Sequence, residues 1–124
     1  MSTPASLVGM RHVRTEIHNR IATVTLDRAP VNALDSVAIR ELTHTFRTLG
    51  QSTEASVIVF TALGDRLFCS GIDLHDSARR HARQLTEGDT TIDLLDPGAV
   101  VRDCFWAILD CPLPVIAAVN GKAI

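Results

Sequence analysis

No stretch of this sequence reaches the roughly 18 consecutive apolar residues expected of a membrane-spanning helix, and no membrane partner is expected. The opening Met1-Ser2-Thr3-Pro4-Ala5 lacks the charged region and apolar run of a secretory signal. Residues 1–12 are expected instead to form a disordered lead-in. Internal repeats and low-complexity tracts are absent. Charge of one sign is also scarce: 12 basic residues stand against 14 acidic ones, for a net charge of -2. That balance gives no footprint for nucleic acid. The densest basic run, Arg79-Arg80-His81-Ala82-Arg83, has acids nearby. The cysteines are three, an odd count, and Cys69, Cys104 and Cys111 lack the paired spacing of structural zinc. They are expected to be free thiols in a reducing cytoplasm. A dinucleotide-binding module is excluded, because no G-x-G-x-x-G follows the first strand.

What is present suits one small domain. The 124 residues are 46% hydrophobic, and a chain of this size buries roughly two thirds of its unfolded surface. Val13 to His18 alternates, with Val13, Thr15 and Ile17 on one face. Asn19-Arg20 is a turn, and the β-branched run Ile21 to Leu26 is a partner strand. Pro30 ends that strand region and biases Ala29 to extended backbone. Asp35 or Ser36 caps a helix whose stripe is Ile39, Leu42, Phe46 and Leu49, steps of three and four on one face. Gly50 is its expected stop.

Ala55 to Ala62 is a short apolar run, expected as a strand covered on both faces. Gly64 opens a loop through Phe68-Cys69-Ser70-Gly71, and a short polar helix is expected from Asp76 to Arg83. Gln84 to Asp96 is acidic and weakly patterned, and reads as a mobile excursion. Pro97 suits the first turn of a second helix, with an apolar stripe of Val101, Cys104, Phe105, Ile108 and Leu109. Pro112 and Pro114 end it. Val115 to Val119 is a second buried-type strand, and Asn120-Gly121 a turn. Alternating strands and helices predict an α/β layered domain with parallel pairing.

Three segments carry a resemblance. They are Ile21 to Arg28 with Pro30-Val31-Asn32-Ala33-Leu34, then Phe68-Cys69-Ser70-Gly71-Ile72-Asp73-Leu74, then Cys111-Pro112-Leu113-Pro114-Val115-Ile116-Ala117-Ala118-Val119-Asn120-Gly121. In this order they resemble the crotonase superfamily of enoyl-CoA hydratases and isomerases, over residues 13–124. The resemblance implies a crotonase-like ββα spiral, represented by its N-terminal half, and a truncated chain. It also implies an acyl-CoA thioester as substrate and assembly into trimers or hexamers when full length. Coenzyme A enters as part of the substrate, so no separate cofactor is expected.

The family stabilises a thioester enolate with two backbone N–H groups. By its match, Ile72 supplies one of them, and Gly71 gives the backbone freedom to aim it. Gly71, Ile72, Asp73, Leu74 and His75 form the implied acyl-CoA-lining stretch. The second donor belongs to a glycine run after Asn120-Gly121-Lys122-Ala123-Ile124, which carries only the opening of that motif. Glu16, Glu41, Glu54 and Glu87 match neither of the family's acid–base glutamates.

Plainer readings stand beside these. Asp73 holds its loop by accepting backbone N–H bonds, and His75 is a solvated loop residue or a phosphate contact. Cys69 and His75 lack the third group of a nucleophile–base pair, and His75, Asp76 and His81 do not match a metal site. Arg79, Arg80 and Arg83 form a solvated helical face or meet nucleotide phosphates. The expected parent activity is hydration of a 2-enoyl-CoA. Double-bond isomerisation is the alternative, and a truncated remnant or interaction subunit of a split enzyme is the alternative of another class.

Overall fold

The computed structural model describes residues 1–79 and 98–124. Strands β1 (Val13–His18) and β2 (Ile21–Leu26) form the expected antiparallel hairpin, with His18 opposite Ile21. Asn19 and Arg20 both adopt positive φ, 49° and 65°. Two consecutive left-handed residues give the turn whose twist matches the strands it joins. Helix α1 (Ser36–Gly50) follows, then β3 (Val57–Ala62) and β4 (Leu67–Cys69). Helix α2 (Ala99–Leu109), β5 (Val115–Ala117) and β6 (Lys122–Ala123) complete the order.

One sheet runs β1-β2-β3-β5, with β2/β3 and β3/β5 parallel. A second, two-stranded sheet pairs β4 with β6 in parallel. The crossovers from β2 to β3 and from β3 to β5 each carry a helix, as parallel pairing requires.

The core lies between the large sheet and the two helices. Val13, Thr15 and Ile17 of β1, and Ala22, Val24 and Leu26 of β2, are all buried. The predicted α1 stripe is buried in full, Ile39, Leu42, Phe46 and Leu49 each at 4% exposure or less. Burying side chains of this size contributes about 1.5–3 kcal/mol apiece, so this stripe anchors the helix. Asp35 caps it, its Oδ1 accepting the Ala38 N–H at 2.8 Å.

Several expectations need correcting. Residues 1–12 are not free of the domain: Ser2 pairs with Ile17 through two backbone hydrogen bonds, and Leu7 is buried at 2%. Glu41 holds the same segment, its carboxylate accepting the N–H groups of Arg11 and His12. Gly50 ends α1 without positive φ. Its role is close approach, since a Cβ there would stand 3.0 Å from Pro112 Cδ.

Strand β3 is buried on the Ile58 and Ala62 face but only half-covered at Val57, Val59 and Thr61. β5 is the sheet edge, with Ile116 exposed. Helix α2 turns only part of its predicted stripe inward. Cys104 and Ala107 are buried and Val101 and Ile108 pack partly, whereas Phe105 and Leu109 face outward. Nearly every residue of α2 is apolar, so more than one stripe satisfies the helical period. The Gln84–Asp96 excursion and Pro97 lie outside the described residues. So does the second half, 80–83, of the expected Asp76–Arg83 helix, while residues 74–79 are described and helical.

Candidate functional site

The corner after β2 is organised by Asn32. It is buried, takes φ 54°, and makes three bonds to neighbouring backbone. Its N–H donates to Arg28 O, its Oδ1 accepts the Arg28 N–H, and its Nδ2 donates to Leu67 O at 2.9 Å. Asparagine tolerates left-handed backbone better than most side chains. The last of these bonds ties the corner to β4 and so to the loop that follows.

That loop begins on an aromatic footing. Phe68 packs edge-on against Phe60 at 5.4 Å between ring centroids, and Phe60 against the buried Phe46 at 5.7 Å. Beyond Phe68 the Cys69 Sγ accepts the Gly71 N–H at 3.3 Å. Gly71 has φ +94°, a conformation that L side chains rarely adopt.

Residues 33–35 and 71–73 then run side by side. The Leu34 N–H donates to Gly71 O at 2.8 Å, and the Asp73 N–H donates to Leu34 O at 2.9 Å. This is a single parallel bridge between Leu34 and Ile72. It fixes the direction of one amide. The Gly71–Ile72 peptide is planar and trans, so its C=O and N–H point opposite ways. With Gly71 O bound to Leu34, the Ile72 N–H points away from Leu34, and it finds no acceptor among the described residues. Ile72 itself is exposed.

A network of charges surrounds the bridge. Arg28 Nη1 donates to Ala33 O at 2.8 Å and pairs with Asp73 Oδ2 at 2.9 Å. Its Nη2 reaches Asp35 Oδ2 at 3.3 Å. Asp73 Oδ1 accepts the N–H groups of His75 and Asp76, which makes it the cap of the 74–79 helical segment. Asp76 in turn accepts the Ser36 N–H at the start of α1, at 3.1 Å. The Asp76 N–H chiefly holds the Asp73 carboxyl below its ordinary pKa; partial burial opposes this, and Arg28 and the His75 N–H add to it.

The contiguous residues Gly71, Ile72, Asp73, Leu74 and His75 thus occupy one loop with distinct duties. Gly71 and Ile72 set an amide direction, and Asp73 holds the loop to Arg28. Leu74 and His75 are exposed. No contact joins Cys69 to His75 among the described residues. Arg79 is exposed and lies 3.9 Å from Asp76, while Arg80, His81 and Arg83 fall outside the described residues.

The sequence points to neither Arg28 nor Leu34 as a site residue, and to Asp76 only as a poor match to a metal ligand. The only signal for them was the nearness of Arg28 and Leu34 to Pro30 and Asn32 in the first motif, and of Asp76 to the loop glycine. A groove of about 570 Å³ between α1 and α2, lined by Arg40, His44, Arg47, Arg102 and Trp106, includes none of Gly71–His75. The buried Cys104 is pushed up in pKa, first by burial, so its thiol stays protonated at neutral pH.

An α/β spiral that leaves a loop amide fixed in direction and without an acceptor among the described residues is an architecture suited to polarising a carbonyl. Residues 16–124 match the family model described as "Enoyl-CoA hydratase/isomerase", and the chain belongs to this family. A Rhodobacter capsulatus protein named "Probable enoyl-CoA hydratase" is 43% identical over 117 residues, covering 90% of this chain and 39% of that protein. A Mycobacterium tuberculosis protein, named as a hexahydroindene-carboxyl-CoA hydrolase, is 36% identical over 82% of this chain and 37% of its own length. The crystal structure of an enoyl-CoA hydratase from Bacillus anthracis superposes with a TM-score of 0.72, at 22% identity, over 90% of this chain and 40% of that one. The expected crotonase-type α/β fold is therefore the fold observed. The chain spans about two fifths of the length of the curated relatives it matches.

Proposed function

We propose that this chain binds an acyl-CoA thioester and polarises its carbonyl with the Ile72 N–H, as part of an enoyl-CoA hydratase. One observation carries the reading: an amide fixed in direction and without an acceptor among the described residues, on an exposed residue of the loop that matches the family's oxyanion motif. A fixed backbone donor needs no reorganisation as charge grows on the thioester oxygen, which is why such donors dominate this kind of catalysis. Withdrawing electrons at the carbonyl leaves the β carbon of a conjugated 2-enoyl group electron-poor. Water then adds there, and the α carbon takes up a proton.

Water addition also needs a general base, and several of the described carboxylates have other work. Glu41 holds residues 11 and 12, Glu54 accepts a bond from the Ser2 hydroxyl, and Asp35, Asp73 and Asp76 hold the loop. In this reading the chain contributes binding and half of the oxyanion hole. General acid–base groups are worth about 10²–10⁴-fold, and a second donor about 10²–10³-fold. Relatives that carry both are the reference for rate.

The test is a titration of the 124-residue chain with crotonyl-CoA and acetoacetyl-CoA, following enoyl absorbance in the same samples. Saturable binding is expected, with turnover below that of a full-length hydratase of the family by the factors above. Failure of either thioester to bind refutes the proposal. Turnover matching the full-length enzyme refutes the division of labour.

A further inference from the structure

We infer that Arg28 is a positioning residue for the Ile72 N–H, an inference that rests on the functional reading above. Its guanidinium touches both sides of the one bridge that sets the amide's direction. On the first segment it holds Ala33 O and Asp35, the two residues flanking Leu34. On the second it holds Asp73, the residue following Ile72. Leu34 in turn fixes Gly71 O, and Gly71 O fixes the Ile72 N–H through the planarity of their shared peptide.

The chemistry of the side chain matches the task. Three acceptors lie around one cation, two of them carboxylates. A planar guanidinium offers five donors in a rigid fork, whereas an ammonium is a single point charge on a flexible stem. The Arg28 backbone is itself fastened by Asn32 Oδ1, so the side chain starts from a set position. The side chains of Arg28, Asp35 and Asp73 are 21%, 15% and 14% exposed, so water competes only partly for these contacts. Arg28 meets no substrate in this scheme. It holds the two strands of the bridge in register, and the bridge aims the donor.

The test uses the 124-residue chain and its Arg28→Lys and Arg28→Gln forms, each titrated with a 2,4-dienoyl-CoA. A donor on the thioester oxygen draws charge along the conjugated chain and moves its absorbance to longer wavelength. The wild-type chain is expected to give this shift. Arg28→Lys is expected to bind the same thioester with the shift largely lost, which a general loss of fold does not produce. In the ligand-free chain the Ile72 and Asp73 amide resonances are expected to move in Arg28→Lys, while those of β1 and β2 stay in place.

A full red shift in Arg28→Lys, or unmoved Ile72 and Asp73 amides, overturns the inference. Where Arg28→Gln does not fold, Arg28→Lys decides. If the wild-type chain binds no dienoyl-CoA, or binds it without a shift, the functional reading falls. The amide resonances then still decide whether Arg28 sets the loop.

Discussion

Asn32 is the position where one small change tests the link between the corner and the loop. Replacing it with alanine removes the acceptor for the Arg28 N–H and the donor to Leu67 O. Each partner is left part-buried without its bond, at about 1–2 kcal/mol apiece. Alanine at φ 54° adds roughly 1 kcal/mol, because its Cβ crowds the carbonyl in left-handed backbone. The expected cost is therefore about 3–5 kcal/mol, a large share of the roughly 5–15 kcal/mol that holds a typical domain folded. With a urea slope of about 2 kcal/mol/M, the midpoint falls by about 2 M. Asn32→Gly relieves the backbone strain but keeps both bonds broken, and Asn32→Asp keeps the acceptor alone. The order of loss is Ala, then Gly, then Asp as the mildest. Equilibrium urea unfolding followed by circular dichroism measures all three. A cost for Asn32→Ala below about 1 kcal/mol, on the scale of an ordinary surface change, refutes the argument that this side chain ties the corner to β4.

Two further outcomes follow from the same structure. Gly121→Ala places a Cβ 2.7 Å from the Arg66 carbonyl carbon and 2.8 Å from Leu67 N. Backbone cannot yield as a side chain tip does, so β4 and β6 must separate. A loss of about 1–3 kcal/mol is expected for such overpacking, read by thermal melting alongside a Gly9→Ala control whose Cβ meets nothing within 4 Å. Asp73 has its pKa held below the ordinary value, so its stabilising effect is present above the unfolded pKa and is lost as pH falls through the lower folded one. The urea midpoint should therefore drop more between about pH 6 and about pH 3 in wild type than in Asp73→Asn. An equal drop in both shows that Asp73 carries no such linkage.

How much was legible in the sequence depended on how local each cause is. The hairpin and α1 were readable because their signals sit within a few residues: alternation in Val13–His18, a stripe at steps of three and four, and an Asp cap. The inward stripe of α2 is only partly legible, because Val100, Phe105, Trp106, Ile108 and Leu109 give no polar contrast. Leu7 packs into the core from a segment with too few apolar residues to show a period. The Gly71–Ile72 pair was found by resemblance to a family motif, and its backbone direction needed the partner at Leu34. The Arg28 network was invisible, since Arg28, Asp35 and Asp73 share no spacing and meet only through the fold. Asp73 was read as a loop holder from its chemistry, and the structure places it among backbone donors and a cation.

The two caps that cross between α1 and the 74–79 segment have one more consequence. Asp76 serves the start of α1, Asp73 serves the segment that carries Asp76, and Arg28 joins Asp73 to the cap of α1. The loop is thus tied to α1 by several side-chain contacts, which couple its order to that of the helix. Fixing the backbone of one residue costs about 1–2 kcal/mol of conformational entropy. For residues 71–76 that loss falls on folding and not on the capture of a ligand. On the proposed reading, a thioester arriving at the Ile72 amide meets a loop that is already ordered, so its contacts are not discounted by the cost of ordering that loop.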